Sequence, residues 1–275
     1  MAERMRREKG PQGKGGALRP PRWDNVGEPP APPAGQRTGP PDFVGVGAQR
    51  AGTKWWYELV VDHPRIERVA TTKKELHYFD RFWRDEFTPA DVDRYHGFFP
   101  RPAGSISGEW TPRYMHDPWI PRLLHRAAPE AKLLVMLRDP VERYQSGIAR
   151  EQRLAEKRGQ PVDASVWSDA YLRGLYSIQI ERLIEHFPEE CLLVLQYEAC
   201  AEDPLPELRR TYDFLGVEPD HEPPSLRDWV GRVNTKDDLP AHVRTGLIDA
   251  YQEDVNELVG LCPELDLLLW PNFAG

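Results

Sequence analysis

Cysteine is scarce. Cys191, Cys200 and Cys262 are three residues in 275, scattered and odd in number. That excludes a disulfide framework and points to a reducing compartment. No zinc-type ligand spacing is present, and no metal is expected. Positive charge is also in deficit: the net charge of -8 argues against a broad nucleic-acid-binding role. Nothing approaches the roughly 20 apolar residues of a membrane span. Residues 1–40 hold no apolar core of a secretory signal. The expectation is a cytoplasmic protein with no membrane span. Residues 1–41 also have few large apolar side chains and are rich in Pro, Gly and Arg, with eight basic and four acidic groups. Such a segment cannot bury enough surface to offset its ordering entropy. A disordered tail over 1–41 and one domain over 42–275 are expected.

What is present is concentrated first in Asp42-Phe43-Val44-Gly45-Val46-Gly47-Ala48-Gln49-Arg50-Ala51-Gly52-Thr53-Lys54-Trp55-Trp56. This reads as a buried strand over 43–48, a glycine-bearing turn, and a helix starting near Thr53. Gly47 and Gly52 let the backbone bend sharply and approach a ligand. The free N–H groups and the positive end of the helix dipole make the turn an anion site. Arg50 and Lys54 add full charge. Gly47 and Gly52 have the separation of a Walker A loop, but Thr53-Lys54 reverses its Lys-Ser/Thr order. The magnesium-holding hydroxyl after the lysine is therefore missing.

Helices are expected over 53–62, 90–98, 119–128, 141–157, 166–187, 204–215 and 240–261. Strands are expected over 68–72, 106–109, 132–137 and 191–197. Asp139 is a candidate N-cap with Pro140 at the first helical position. Alternating strands and helices predict α/β: a P-loop-like parallel sheet flanked by helices, three layers α/β/α, with ligands at the carboxyl ends of the strands. Arg138 ends the strand over 132–137, and Ser146 lies two turns into the following helix. A fork donor and a hydroxyl converging there suit a second phosphate. An ion pair of Arg138 with Asp139 or Glu142 would serve equally as a surface feature.

The ordered set GAQRAGTKWW, KELHYFD, GEWTPRYM, LLVMLRDPVERYQSG, GLYSIQIERL and CLLVLQYE resembles sulfotransferases that use 3′-phosphoadenosine 5′-phosphosulfate (PAPS). It is most similar to the heparan-sulfate-type branch and its bacterial relatives. The resemblance covers roughly residues 42–275. It implies that the first loop (Arg50, Ala51, Gly52, Thr53, Lys54) holds the phosphosulfate and that Arg138 and Ser146 hold the 3′-phosphate. Tyr176 matches a tyrosine near that phosphate, and Arg232 and Lys236 are candidates for a late basic loop. Glu75 stands at the position of the catalytic base, with His77 and Asp80 as its supporting residues and Arg50 in place of the usual first-loop lysine. The family's lysine in an E-K-T-P segment is Trp110 here, which could stack on a ring-bearing acceptor.

On this reading a base takes the acceptor hydroxyl's proton, cationic donors stabilise the sulfonate and the departing phosphate, and no metal is required. The product is adenosine 3′,5′-bisphosphate, and the partner is a carbohydrate or small-molecule acceptor. Trp55, Trp56, Tyr78, Phe79, Trp83, Trp110 and Tyr114 suggest an acceptor with a ring face. Two other readings compete with this one. A phosphotransferase using ATP and magnesium is disfavoured by the reversed Thr53-Lys54 order and by Arg138, which separates the apolar strand from Asp139. A non-catalytic nucleotide-binding module is disfavoured by Glu75, His77 and Asp80.

Overall fold

The computed structural model describes residues 26–71, 75–226 and 238–274. Five parallel strands, β1 (Phe43–Gly47), β2 (Ile66–Arg68), β3 (Ile106–Trp110), β4 (Lys132–Leu137) and β5 (Leu192–Gln196), lie in the order β2-β3-β1-β4-β5. The apolar run of β4 pairs with strands on both sides, and Leu133 to Leu137 are completely buried. That is the signature of a parallel strand covered on both faces. The helices between the strands are α1 (Thr53–Val60), α2 (Pro89–His96), α3 (Ile120–Ala127), α4 (Pro140–Arg158), α5 (Ser165–Leu172) and α6 (Ser177–Ile184). After β5 come α7 (Tyr197–Glu202), α8 (Pro204–Leu215) and α9 (Ala241–Leu261). The result is the three-layer α/β fold.

The chain builds β2 and β3 on one side of β1, then crosses to β4 and β5 on the other. The sheet therefore has its topological switch point at β1, where a ligand crevice opens beyond the carboxyl ends of the strands. The loops after β1, β2, β3 and β4 all emerge at that edge. Among the described residues, no helix is long and apolar enough to cross a membrane.

Three expectations change. The single helix expected over 166–187 is two helices. Gly174 packs so closely on α9 that a Cβ there would sit 2.6 Å from the Tyr251 hydroxyl. Asp254 of α9 accepts hydrogen bonds from the backbone N–H groups of Tyr176 (2.7 Å) and Ser177 (3.1 Å), restarting the helix after the break. The second strand stands earlier than expected, at Ile66–Arg68. The third change is the tail boundary. Residues 26–41 dock on the domain: Arg37 and Arg101 exchange backbone hydrogen bonds of 3.0 and 2.9 Å. Arg94 donates to the carbonyls of Val26 and Gly27, and Arg101 to that of Pro40. Arginine carbonyl anchors supply the ordering energy that the composition lacks in apolar side chains.

Trp110 is only 2% exposed. Its indole Nε1 donates to the Gly47 carbonyl at 3.2 Å, and a Cβ on Gly45 would lie 2.0 Å from its ring. Trp110 is thus a packing residue beneath the first loop and is not available to stack on an acceptor. Gly45→Ala is expected to force the indole aside and cost about 2 kcal/mol, the usual scale of overpacking. Urea unfolding measures this, and a variant as stable as wild type would contradict the packing described.

Candidate active site

The first loop turns on two backbone choices. Gly52 has φ +87 and serves as N-cap of α1 without a side-chain cap. A Cβ there would be strained and would meet the Tyr197 ring at 2.6 Å. The first N–H groups of α1 are therefore left to the crevice. Gly47 has a different reason to be glycine: its Cβ position lies against the Met115 thioether, so it accommodates a core side chain rather than a ligand. Arg50 also has a positive φ, +72, which throws its side chain across to α4. There Nε and Nη2 of Arg50 donate to Ser146 Oγ at 3.2 and 3.1 Å. Burial lowers the Arg50 pKa from its usual value, and Arg150, Arg153 and Arg138 lower it further by repulsion. This loop thus sits in an excess of positive charge, on a chain that is acidic as a whole.

Arg138 leaves the end of β4 beside that contact. Its Nη1 reaches the Arg50 carbonyl at 3.5 Å, and its guanidinium lies over the Tyr197 ring at 4.8 Å. Its distance to Glu142 is 3.7 Å, too long for a good hydrogen bond. Its buried Nε has no hydrogen-bond partner. Asp139 does not pair with it. One oxygen of Asp139 caps α4 through the N–H groups of Val141 (2.9 Å) and Glu142 (3.1 Å), the N-cap expected from sequence. The other accepts from the backbone and side-chain nitrogens of Asn272, at 3.0 and 2.9 Å. Glu198 accepts from the Asp139 N–H and from Trp270 Nε1, both at 3.0 Å. Burial pushes its pKa up to about 7. The C-terminal segment is therefore a clamp on the Arg138-Asp139 turn.

Tyr176 is completely buried, and its hydroxyl donates to the Arg138 carbonyl at 2.9 Å. Tyr176 thus holds the Arg138 turn from behind. Ala51 is also fully buried, Thr53 is 7% exposed, and Lys54 is exposed on the first turn of α1. Arg232 and Lys236 lie outside the described residues.

On the other side of β1, Glu75, His77 and Asp80 form one relay. His77 Nε2 is 2.9 Å from Glu75 Oε2, and His77 Nδ1 is 2.9 Å from Asp80 Oδ2. Burial disfavours a charged ring here, but the hydrogen bonds to Asp80 and Glu75 outweigh it and push the His77 pKa up to about 9. The imidazolium therefore donates from both nitrogens at neutral pH. Asp80 is 2% exposed, with Arg113 3.6 Å away. The Glu75 side chain keeps 41% of its exposure. It is the most exposed member of the relay.

A loop set in positive charge and a carboxylate–histidine relay thus stand on either side of β1 at the carboxyl end of the sheet. The sulfotransferase domain family matches residues 40–232. The chain belongs to the sulfotransferase family. The mouse protein named heparan sulfate glucosamine 3-O-sulfotransferase 6 is 32% identical to this sulfotransferase over 203 residues, covering 70% of the chain and 56% of that relative. Its human counterpart is 31% identical over 189 residues, covering 64% and 52%. The chain spans about half the length of the curated relatives it matches. The crystal structure of a sulfotransferase from Alicyclobacillus acidocaldarius superposes with a TM-score of 0.66 at 25% identity, covering 84% of this chain and 98% of that one.

Several residues of this sulfotransferase's site escape sequence reasoning: Tyr197 under Arg138, Glu198, Trp270 and Asn272. Tyr197 and Glu198 close the strand-like run CLLVLQYE, and their position at a strand's carboxyl end is the one signal that could have marked them. Asn272 carries no such signal. The aromatic residues expected to form a ring-binding wall are mostly core. Trp55, Trp56, Tyr78, Phe79, Trp110 and Tyr114 are buried, and Trp83 alone of that set is exposed, at 50%. The suggestion of a ring-faced acceptor loses its support.

Proposed function

We propose that this chain transfers a sulfuryl group from PAPS to a hydroxyl of a carbohydrate or small-molecule acceptor, with Glu75 as general base. The observation that carries the reading is the convergence of Arg50, Ser146 and Arg138 opposite the Glu75–His77–Asp80 relay. The buried, unpartnered Nε of Arg138 and the uncapped start of α1 fit a ligand with two anionic ends. When bound, PAPS supplies an activated sulfuryl group on a phosphate leaving group.

The chain's own residues do the rest. The N–H groups at Gly52, Thr53 and Lys54, with the Lys54 ammonium, hold the phosphosulfate end. Arg138 and Ser146 hold the 3′-phosphate, with Arg50 reaching over from the first loop between the two ends. Tyr176, Asp139 and the C-terminal clamp keep Arg138 in register. Glu75 takes the proton from the acceptor hydroxyl, oriented by His77, which Asp80 holds in turn. The two-ended grip sets the line of attack.

The names of the curated relatives support heparan-sulfate-type glucosamine residues as one acceptor to try. The test is radiolabel transfer from PAPS to a panel of heparan sulfate, glucosamine, 2-naphthol and a primary alcohol, in the presence of a chelator. Labelled product that survives the chelator is expected. Label transfer that collapses with the chelator, or γ-phosphoryl transfer from ATP with magnesium in its place, would contradict the proposal.

A further inference from the structure

Glu109 is completely buried in β3, and among the described residues the cationic influence on it is the His77 ring, which acts through space and not as an ion pair. A carboxylate in that position is costly unless hydrogen bonds replace its water. Three hydroxyls do so. Tyr95 and Tyr114 donate to Oε1 at 2.9 and 3.1 Å, and Thr111 donates to Oε2 at 2.6 Å. Two of these hydroxyls also accept. Thr111 Oγ1 accepts from the backbone N–H groups of Leu76 (3.1 Å) and His77 (3.3 Å). The Tyr114 hydroxyl accepts from the N–H of Tyr78 at 2.8 Å. Three consecutive peptide groups of the relay loop are thus hung on one buried carboxylate through two hydroxyls.

The directions of these bonds follow from donor and acceptor counts. Thr111 and Tyr114 accept from N–H groups, so their own protons must point at Glu109, which must accept them all. The loop itself has no regular secondary structure between Glu75 and Asp80, and His77 holds φ +53. Its backbone hydrogen bonds therefore have to be found elsewhere, and this hub supplies three of them. Burial pushes the Glu109 pKa up to about 7, with the hydroxyl bonds pulling the other way.

We infer that Glu109 is a positioning residue for sulfuryl transfer: through the hydroxyls of Thr111 and Tyr114, its carboxylate fixes the backbone that carries Glu75 and His77. The inference rests on the reading of Glu75 as base. A glutamine at 109 would turn one acceptor arm into a donor. Facing Thr111, that arm would meet a hydroxyl that already accepts two N–H groups, whose own proton would then have no partner. The loop would shift, and shifts near 1 Å at a reacting group cost up to about 10²-fold in rate.

The test measures kcat, KM for PAPS and affinity for adenosine 3′,5′-bisphosphate in Glu109→Gln and Thr111→Val, each in wild-type and Glu75→Gln backgrounds. The acceptor is the member of the panel above with the highest rate. In the wild-type background we expect kcat to fall about tenfold, with bisphosphate affinity unchanged within about twofold. In the Glu75→Gln background the same changes should add less than about twofold, because the group being positioned is already disabled. An equal fall in both backgrounds, or an unchanged kcat, would overturn the inference and leave the base reading standing. So would a loss of bisphosphate affinity in step with turnover. Full activity of Glu75→Gln alone would remove the base reading and this inference with it. Should Glu109→Gln fail to fold, Thr111→Val keeps the buried carboxylate, removes the bridge to Leu76 and His77, and decides the matter by the same comparison.

Discussion

Glu75→Gln is expected to lower turnover by roughly 10²-fold or more, as for a lost general base, while bisphosphate affinity stays at the wild-type value. The separation follows from the architecture. Glu75 stands beyond β2 and leans on β3 through the relay loop, whereas Arg50, Arg138 and Ser146, the proposed anion-binding residues, stand after β1 and β4. Glutamine keeps the size of the side chain and can still accept a hydrogen bond from His77 Nε2, which is 2.9 Å from the carboxylate. What it loses is the capacity to take a proton. The comparison to make is kcat at saturating PAPS beside a calorimetric affinity for the bisphosphate. Wild-type turnover in Glu75→Gln would remove the base assignment, and a matching loss of affinity would place Glu75 in the cofactor site instead.

Arg138→Ala is expected to weaken binding of adenosine 3′,5′-bisphosphate by about 10²-fold, in the range found when one partner of a buried, hydrogen-bonded charge pair is truncated. Turnover at saturating PAPS should change much less. The acidic neighbours of Arg138 are engaged elsewhere: Asp139 caps α4 and binds Asn272, and Glu142 accepts from Arg244 at 3.1 Å while lying 3.7 Å from the Arg138 guanidinium. Removing the side chain leaves the turn held by Asp139, Glu198 and Tyr176, so the fold should persist. Arg138→Lys should fall between the two, since it keeps the charge and loses the fork. Affinity retained in Arg138→Ala would show that the second phosphate sits elsewhere.

The sequence carried most of the architecture. β1, β3, β4 and β5, and most helices, are legible because buried parallel strands are continuous apolar runs and the helices carry apolar periodicity, with side-chain caps at Thr88 and Asp139. The first loop and Arg138 are legible because they follow strand ends, and Ser146 from its place two turns into the next helix; the Glu75–His77–Asp80 run stands out only through the family resemblance. The misreadings share a different cause. The break between α5 and α6 is made by Tyr251 and Asp254 from a helix about 80 residues away. The docking of residues 26–41 depends on Arg94 and Arg101, far along the chain. Trp110 turns inward because Gly45 leaves room for its ring. Each is a long-range contact, invisible to periodicity and spacing.

Whether the crevice holds two separated phosphates is the central claim, and calorimetric titration with adenosine 3′,5′-bisphosphate, beside a titration with ATP plus magnesium, tests it most directly. Micromolar affinity for the bisphosphate, with ATP much weaker and no gain from magnesium, is the predicted result. Tighter binding of ATP with magnesium, and little or none of the bisphosphate, would contradict it.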